Sequence, residues 1–309
     1  MAIARWLAYR LLPAMLMAGS GAAGAALPVS EVAPGMFVHQ GHTEQARSDN
    51  GNDIANAGFV VGDDCVAVID TLGSPALGRQ LAASVAHRTD LPICAVINTH
   101  VHPDHVLGNR ALTGDDRPLF GHEQLPRALA ARADGYLAAA NRTYVADADT
   151  SWIVAPTTTV ADTRRIDLGG RTLVLEAWPT AHSNTDLTVF DTGSGTLWTG
   201  DLVFIDRMPA LDGSINGWLS VLDELSGRSD VKRIVPGHGP ACAPWPAGSA
   251  PLRRYLSHLR TQVRDAIDQG RTIEQAIANI GYDRAQDWPL FDQVHRRNVT
   301  AAFAELEWE

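Results

Sequence analysis

The stretch Asn98-Thr99-His100-Val101-His102-Pro103-Asp104-His105 decides how this chain is read. It follows the apolar run Ala95-Val96-Ile97, which reads as a buried strand. Three imidazoles and one carboxylate within six residues suit a zinc-type ion, which takes nitrogen and oxygen ligands at short distance. In an extended chain His100 and His102 point the same way, so both can reach one ion. Pro103 then turns the chain, so Asp104 and His105 can reach a second.

Working outward, three further polar residues each come just past an apolar run and next to Gly, Pro or Ala. They are His182 after Glu176-Ala177-Trp178-Pro179-Thr180-Ala181, Asp201 at the end of Leu197-Trp198-Thr199-Gly200-Asp201, and His238 after Ile234-Val235-Pro236-Gly237. In layered α/β folds that is the edge where ligand sites collect. Asp70 ends the strand-like Val66 to Asp70. It reads either as a carboxylate orienting a ligand or the 99–102 loop, or as a turn cap. His39, His42 and His122 are candidates for the pocket rim. His87 and His258 read as surface residues on helices, and His295 as packing in the last helix.

Strands and helices alternate around these positions. Strand patterns fall at Met36–Gln40, Phe59–Val61, Val66–Asp70, Ala95–Asn98, Leu173–Ala177, Leu187–Asp191, Thr196–Thr199 and Ile234-Val235. Helix patterns fall at Pro75–His87, Gln124–Ala140 and Trp218–Leu225. Residues 141–163 read as irregular. After Pro251 the chain is all helical: one apolar stripe runs through Leu252, Leu256, Leu259, Val263 and Ile267, and Thr272 with Gln275 forms a capping-box pattern. A last helix runs from about Phe291 to Leu306. The order predicts a layered α/β body with a helical C-terminal addition. Polar loops at 42–56, 141–163 and 206–217 are expected to wall the pocket and set substrate choice.

Among the 309 residues, 25 Lys and Arg oppose 35 Asp and Glu, a net charge of −10. Such a surface repels phosphate backbones and anionic lipid, which argues against a nucleic-acid or membrane-surface partner. No G-x-S-x-G sequence is present to supply a serine nucleophile. Residues 1–26 read as a signal peptide: Arg5 and Arg10, then Leu11 to Ala18, then Ala23-Gly24-Ala25 as the cleavage pattern. The apolar run is shorter than the roughly 20 residues a membrane span needs. The expected location is periplasmic or secreted, with no membrane association after cleavage. Cys65, Cys94 and Cys242 are an odd set for an exported protein. Cys65 and Cys94 precede two strands and face each other if those strands are neighbours in register. The expectation is nonetheless two small buried thiols, because a bridge across adjacent strands needs unusual geometry.

The ligand pattern resembles the metallo-β-lactamase superfamily, over nearly all of the chain from 27 to about 240. The resemblance implies a four-layer αββα sandwich over 27–240, a helical extension over 241–309, and a two-metal site at the edges of the sheets. By position, His100, His102 and His182 would hold the first metal, Asp104, His105 and His238 the second, and Asp201 would bridge them. The expected cofactor is two Zn2+. Within the superfamily the chain is most similar to the exported quinoprotein relay system zinc metallohydrolases, related to SoxH-like proteins. That likeness rests on SDNGNDIANAGFVVG, AHSNTDLTVFD, TLWTGDLVF, DGSINGWL, VPGHGP and HRRNVTAAFAELEWE. It implies a metal-dependent hydrolase acting through a metal-bound water, with Asp104 guiding the proton, on an ester, thioester, lactam or related small substrate. A quinoprotein dehydrogenase is the partner it suggests. Class B3 β-lactamases lack the bridging aspartate, which lowers that assignment. An iron-dependent sulfur-compound oxidoreductase with the same ligands, and a non-catalytic quinoprotein accessory protein, are the competing readings.

Overall fold

The structure, a computed structural model, describes residues 25–114 and 116–309. The signal-peptide reading therefore lies almost wholly outside the described residues. The chain opens with an antiparallel meander of β1 (Ser30–Ala33), β2 (Met36–His39), β3 (Ala57–Val61) and β4 (Val66–Ile69). Helix α1 (Pro75–Ala86) then crosses to β5 (Ile93–Ile97), parallel to β4. Ser74 starts α1 by accepting from the Leu77 amide, and Pro75 sits where a missing N–H costs nothing. Two one-turn helices follow, α2 (Pro103–Val106) and α3 (Asn109–Leu112), then β6 (Leu119–His122), α4 (Leu125–Thr143) and β7 (Thr158–Val160). These seven strands form one sheet in sequence order.

The second sheet holds β8 (Thr163–Asp167), β9 (Thr172–Ala177), β10 (Leu187–Asp191), β11 (Thr196–Phe204), β12 (Arg233–His238) and β13 (Ala243–Pro244). Its spatial order is β13-β12-β11-β10-β9-β8. Helix α5 (Ile215–Ser226) links β11 to its parallel neighbour β12. The chain closes with α6 (Ala250–Asp268), α7 (Ile273–Asn279) and α8 (Phe291–Leu306). The capping box expected at Thr272 and Gln275 starts α7.

Three apolar clusters define the layers. Met36, Val38, Val60, Ile69 and Ile97 of the first sheet meet Leu173, Leu175, Val189, Trp198 and Val235 of the second. On the outer face of the first sheet, Phe59, Val66 and Val68 pack on Leu77, Leu81 and Val85 of α1. On the outer face of the second, Phe190, Leu197 and Val203 share a core with Trp218 and Leu222 of α5, Leu252 and Leu259 of α6 and Val299 of α8. The result is a helix–sheet–sheet–helix sandwich, with the C-terminal helices fused to the second outer layer. Among the described residues, no helix is long and apolar enough to cross a membrane.

The structure corrects several local expectations. Helix α4 continues to Thr143, and the stretch expected to be irregular contains β7. Only Val160 of that strand is buried, so it carries no apolar run to announce it. Strand β11 runs on to Phe204 and is buried throughout, which places Asp201 inside a strand rather than past its end. Helix α5 starts at Ile215, where Ser214 caps it.

The expectation of free thiols at 65 and 94 is also overturned: Cys65 and Cys94 form a disulfide with Cα atoms 5.8 Å apart. The register explains why. Val66 pairs with Ile93 and Ala67 with Ala95, so Cys94 is an extra, unpaired residue on β5. That irregularity frees its side chain from strict alternation and turns it to Cys65. Cys242 remains free among the described residues.

Candidate metal centre

The parallel strands of both sheets deliver their C-terminal ends to one edge. From the first sheet, the turn after β4 supplies Asp70, and the segment after β5 supplies Thr99, His100 and His102. Asp104 and His105 sit on α2. From the second sheet, His182 lies on the loop between β9 and β10, Asp201 within β11, and His238 ends β12. Two close approaches depend on glycine. At Gly200, φ is +50°, and a Cβ would also strike Thr99 Oγ1 at 2.6 Å. A Cβ on Gly237 would fall 1.9 Å from Asp201 Oδ1.

All seven predicted ligand positions converge. His100, His102, His182 and Asp201 offer atoms that lie within 4.8 Å of one another, as do Asp104, His105 and His238. Asp201 joins the two groups. Its Oδ2 lies 3.5 Å from His100 Nε2, 3.4 Å from His182 Nε2 and 3.3 Å from His238 Nε2, and its Oδ1 lies 3.2 Å from His105 Nε2. Asp104 Oδ2 stands 3.4 Å from His238 Nε2 and 3.9 Å from His105 Nε2.

The second nitrogen of every imidazole is engaged. His105 Nδ1 donates to Asp70 Oδ2 at 2.8 Å, His182 Nδ1 to the Ala210 carbonyl at 2.8 Å and His238 Nδ1 to the Ile54 carbonyl at 2.7 Å. His102 Nε2 donates to Asp212 Oδ2 at 3.1 Å. His100 Nδ1 donates at 3.1 Å to Thr99 Oγ1, whose own proton goes to Asp70. Such partners fix the tautomer and the ring orientation of a metal ligand.

These bonds make the fit to metal ions testable from the protein alone. With the other nitrogens donating, His100 Nε2, His102 Nδ1 and His182 Nε2 carry lone pairs that face one another at 3.1 Å and 2.9 Å. Lone pairs so close repel unless a cation accepts them. Ligands about 2.0–2.1 Å from a tetrahedral zinc lie ~3.3–3.4 Å apart, close to the separations seen here. His105 Nε2 and Asp201 Oδ1 are buried without a hydrogen-bond partner, although they are neighbours. Buried polar atoms are rarely left so. The residues fit a pair of cations.

Charge points the same way. Burial lowers the His100 imidazole to about 3, helped by His105. Burial also holds His182 well below the usual range, against the pull of Asp201. Both are neutral, the ligating form. Burial would lower His105 too, but Asp201, Asp70 and Asp104 surround it and raise it well above the usual range. The cluster attracts positive charge. Asp201 and Asp104 remain ionised: burial raises each carboxyl, and the neighbouring histidines outweigh it.

Asp70 holds three donors, since the Thr99 amide also reaches its Oδ1 at 2.8 Å. Of the rim candidates, none belongs to the two ligand groups. His39 is buried between Pro28 and Asp53, His122 is buried and its Nδ1 accepts from the Gln124 amide, and His42 is largely exposed. His295 packs in the core, as expected.

Asp212 and Arg207 escaped the sequence reading. Asp212 binds His102 and also accepts from Arg132 Nη2 at 2.6 Å. Burial raises its carboxyl, but His102 and Arg132 bring it down to about 2. Arg207 donates to the Glu44 carbonyl, linking the 206–217 and 42–56 loops, and its charge helps to lower Asp104. Both lie in a segment marked only as pocket wall.

A sequence profile of the metallo-beta-lactamase superfamily matches residues 50–238. The chain belongs to the metallo-beta-lactamase superfamily. It has the hydrolase fold of that superfamily, whose members typically bind divalent metals. Solved structures of similar fold include the inverting sec-alkylsulfatase Pisa1 from Pseudomonas sp., with a TM-score of 0.67 at 18% identity over 91% of this chain and 50% of that one. The chain thus spans half the length of that relative. A metallo-beta-lactamase from Pontibacter korlensis superimposes with a TM-score of 0.61 at 18% identity, over 75% of this chain and 99% of that one. The structure of TMB-1 gives 0.59 at 17%, over 75% and 97%. At these identities the likeness is one of fold. No curated protein matches the chain in sequence.

Proposed function

We propose that this protein is an exported two-zinc hydrolase of small esters, thioesters, lactams or related substrates. His100, His102 and His182 would hold the first zinc and Asp104, His105 and His238 the second, with Asp201 shared between the two groups. The observation that carries the reading is the set of close, mutually repelling lone pairs on His100, His102 and His182, whose imidazoles are each tethered through the opposite nitrogen.

Bound divalent ions would supply hydroxide at neutral pH and polarise the substrate's electrophilic carbonyl or related centre. The chain's residues do the rest. Asp70, Asp212 and the carbonyls of Ile54 and Ala210 hold the imidazoles, so that none must reorient during reaction. Asp104 has the more accessible of the two ligand carboxylates, its side chain 11% exposed against 3% for Asp201. Its carboxylate is the place to take a proton and pass it to a leaving group. The buried walls, with Phe204 stacked on His238 and Trp218 against His182, limit water around these groups.

The Cys65–Cys94 bridge supports a periplasmic or secreted location, since disulfides persist in oxidising compartments. The resemblance to quinoprotein relay hydrolases supports a quinoprotein dehydrogenase as the functional partner. Elemental analysis of the purified protein, followed by an ester, thioester, lactam and sulfate-ester panel, tests the reading. Two zinc ions per chain and turnover abolished in the His102→Ala and Asp201→Ala variants are expected. Full turnover by metal-free protein, or iron in place of zinc, overturns it.

A further inference from the structure

We infer that the C-terminal helix α8 sets the geometry of the first metal site, with Asn298 and Glu305 as its positioning residues. The inference rests on the proposed metal reading. It starts from the segment 208–216, which reaches two of the three histidines of that site: the Ala210 carbonyl holds His182 and the Asp212 carboxylate holds His102. The Asp212 and Ser214 amides also bond the carbonyls of His182 and Ala181. Wherever this segment goes, both imidazoles follow.

Helix α8 grips the segment at both ends. Asn298, 1% exposed, accepts from the Leu211 amide at 2.9 Å and donates to the Pro209 carbonyl at 2.7 Å, bracketing Ala210. Its remaining amide proton goes to Tyr255 Oη of α6 at 3.0 Å. That hydroxyl donates to His295 Nδ1 at 3.0 Å, and His295 Nε2 donates to the Ile280 carbonyl at 3.0 Å. The bracket is thus the end of a buried, fully paired network across the extension. About two helical turns further on, Glu305 accepts from Ser214 Oγ at 2.7 Å, from the Ile215 amide at 2.6 Å and from Asn216 Nδ2 at 3.1 Å. Its carboxylate sits at the N-terminus of the twelve-residue helix α5, where negative charge is favoured. Just ahead of α8, the Pro289 carbonyl takes the Met208 amide. No comparable contact runs from α8 to His238, whose tether comes from Ile54.

The test uses the full chain and the variants Glu305→Ala and Asn298→Leu, with Val263→Ala in α6 as a control that weakens the extension without touching the segment. In metal-free protein, nitrogen–proton correlation spectra report the imidazole tautomers. The wild type should show His182 protonated at Nδ1 and His102 at Nε2. Both variants should show mixed forms at these two residues, with His238 unchanged. Zinc titration against a chromophoric chelator should then show the first site weakened roughly ten-fold or more in both variants, as is usual when a ligand's partner is lost. The control should lower Tm without either effect. Unchanged tautomers in both variants, or the same change in the control, overturn the inference even if zinc binds. A wild type with the expected tautomers but no zinc uptake defeats the metal reading instead.

Discussion

Asp70 shows how much one carboxylate can organise. It stands at φ +55°, in the left-handed region that aspartate tolerates better than most residues. From there it takes the Thr99 amide, the Thr99 hydroxyl and His105 Nδ1. In Asp70→Asn, one of these donors meets an amide N–H instead of an oxygen. A stability loss of about 1–3 kcal/mol is expected from the unsatisfied group, read by denaturant titration. The second site should lose affinity by about 10–100-fold in chelator competition, with the first changed less. Equal loss at both sites would contradict this assignment. At this scale the sequence was informative where chemistry resides in side chains: His100 to His105 announce themselves by spacing. The Ile54 and Ala210 carbonyls cannot, because every residue has one and only the fold selects which is used. Asp212 lay hidden for a related reason: it sits 110 residues from His102, and only packing joins them.

Among the elements, the 42–56 loop is tied at its far end by His39 of β2. Its Nε2 meets Asp53 Oδ1 at 2.8 Å while Nδ1 donates to the Pro28 carbonyl. The next residue, Ile54, holds His238, and Asn56 donates to the Pro236 carbonyl at 2.8 Å. Burial lowers the His39 imidazole, but Asp53 outweighs it and the net shift is upward from 6.5. A group whose folded-state pKa is raised adds stability that is fully present below its unfolded pKa. That stability fades as pH rises through the folded value. The destabilisation caused by His39→Gln should therefore be larger at about pH 5.5 than at about pH 9 when wild type and variant are unfolded in parallel. A difference independent of pH would show that His39 acts only by packing. Sequence periodicity located the buried strands of this sheet, since Val66 to Ile69 and Ala95 to Ile97 are apolar throughout. It missed the short polar ones, β1 and β7, whose pairing depends on a neighbour rather than on their own composition.

For the whole molecule, the two ends of the sandwich do different work. The parallel strands β4 and β5 carry the disulfide at their starts and the metal-facing residues beyond their ends. The bridge closes a loop across a sequence separation of 29. Its loss in a Cys65→Ser, Cys94→Ser double variant should lower stability by about 2–4 kcal/mol, chiefly by loosening the unfolded chain. Zinc stoichiometry and affinity should stay at the wild-type level. A variant that loses zinc would show that strain travels the length of the strands. The layer order was legible because alternating strand and helix patterns leave few ways to bury both faces of two sheets. The disulfide was not, because a single-residue slip in register is invisible until the strands are paired.

Gly237 carries a lesson for anyone reshaping this centre. The space beside Asp201 Oδ1 is filled by backbone alone, and even a methyl group there would arrive at 1.9 Å. This spot offers remodelling no foothold: a single added carbon would push apart the two strands on which Asp201 and His238 are mounted.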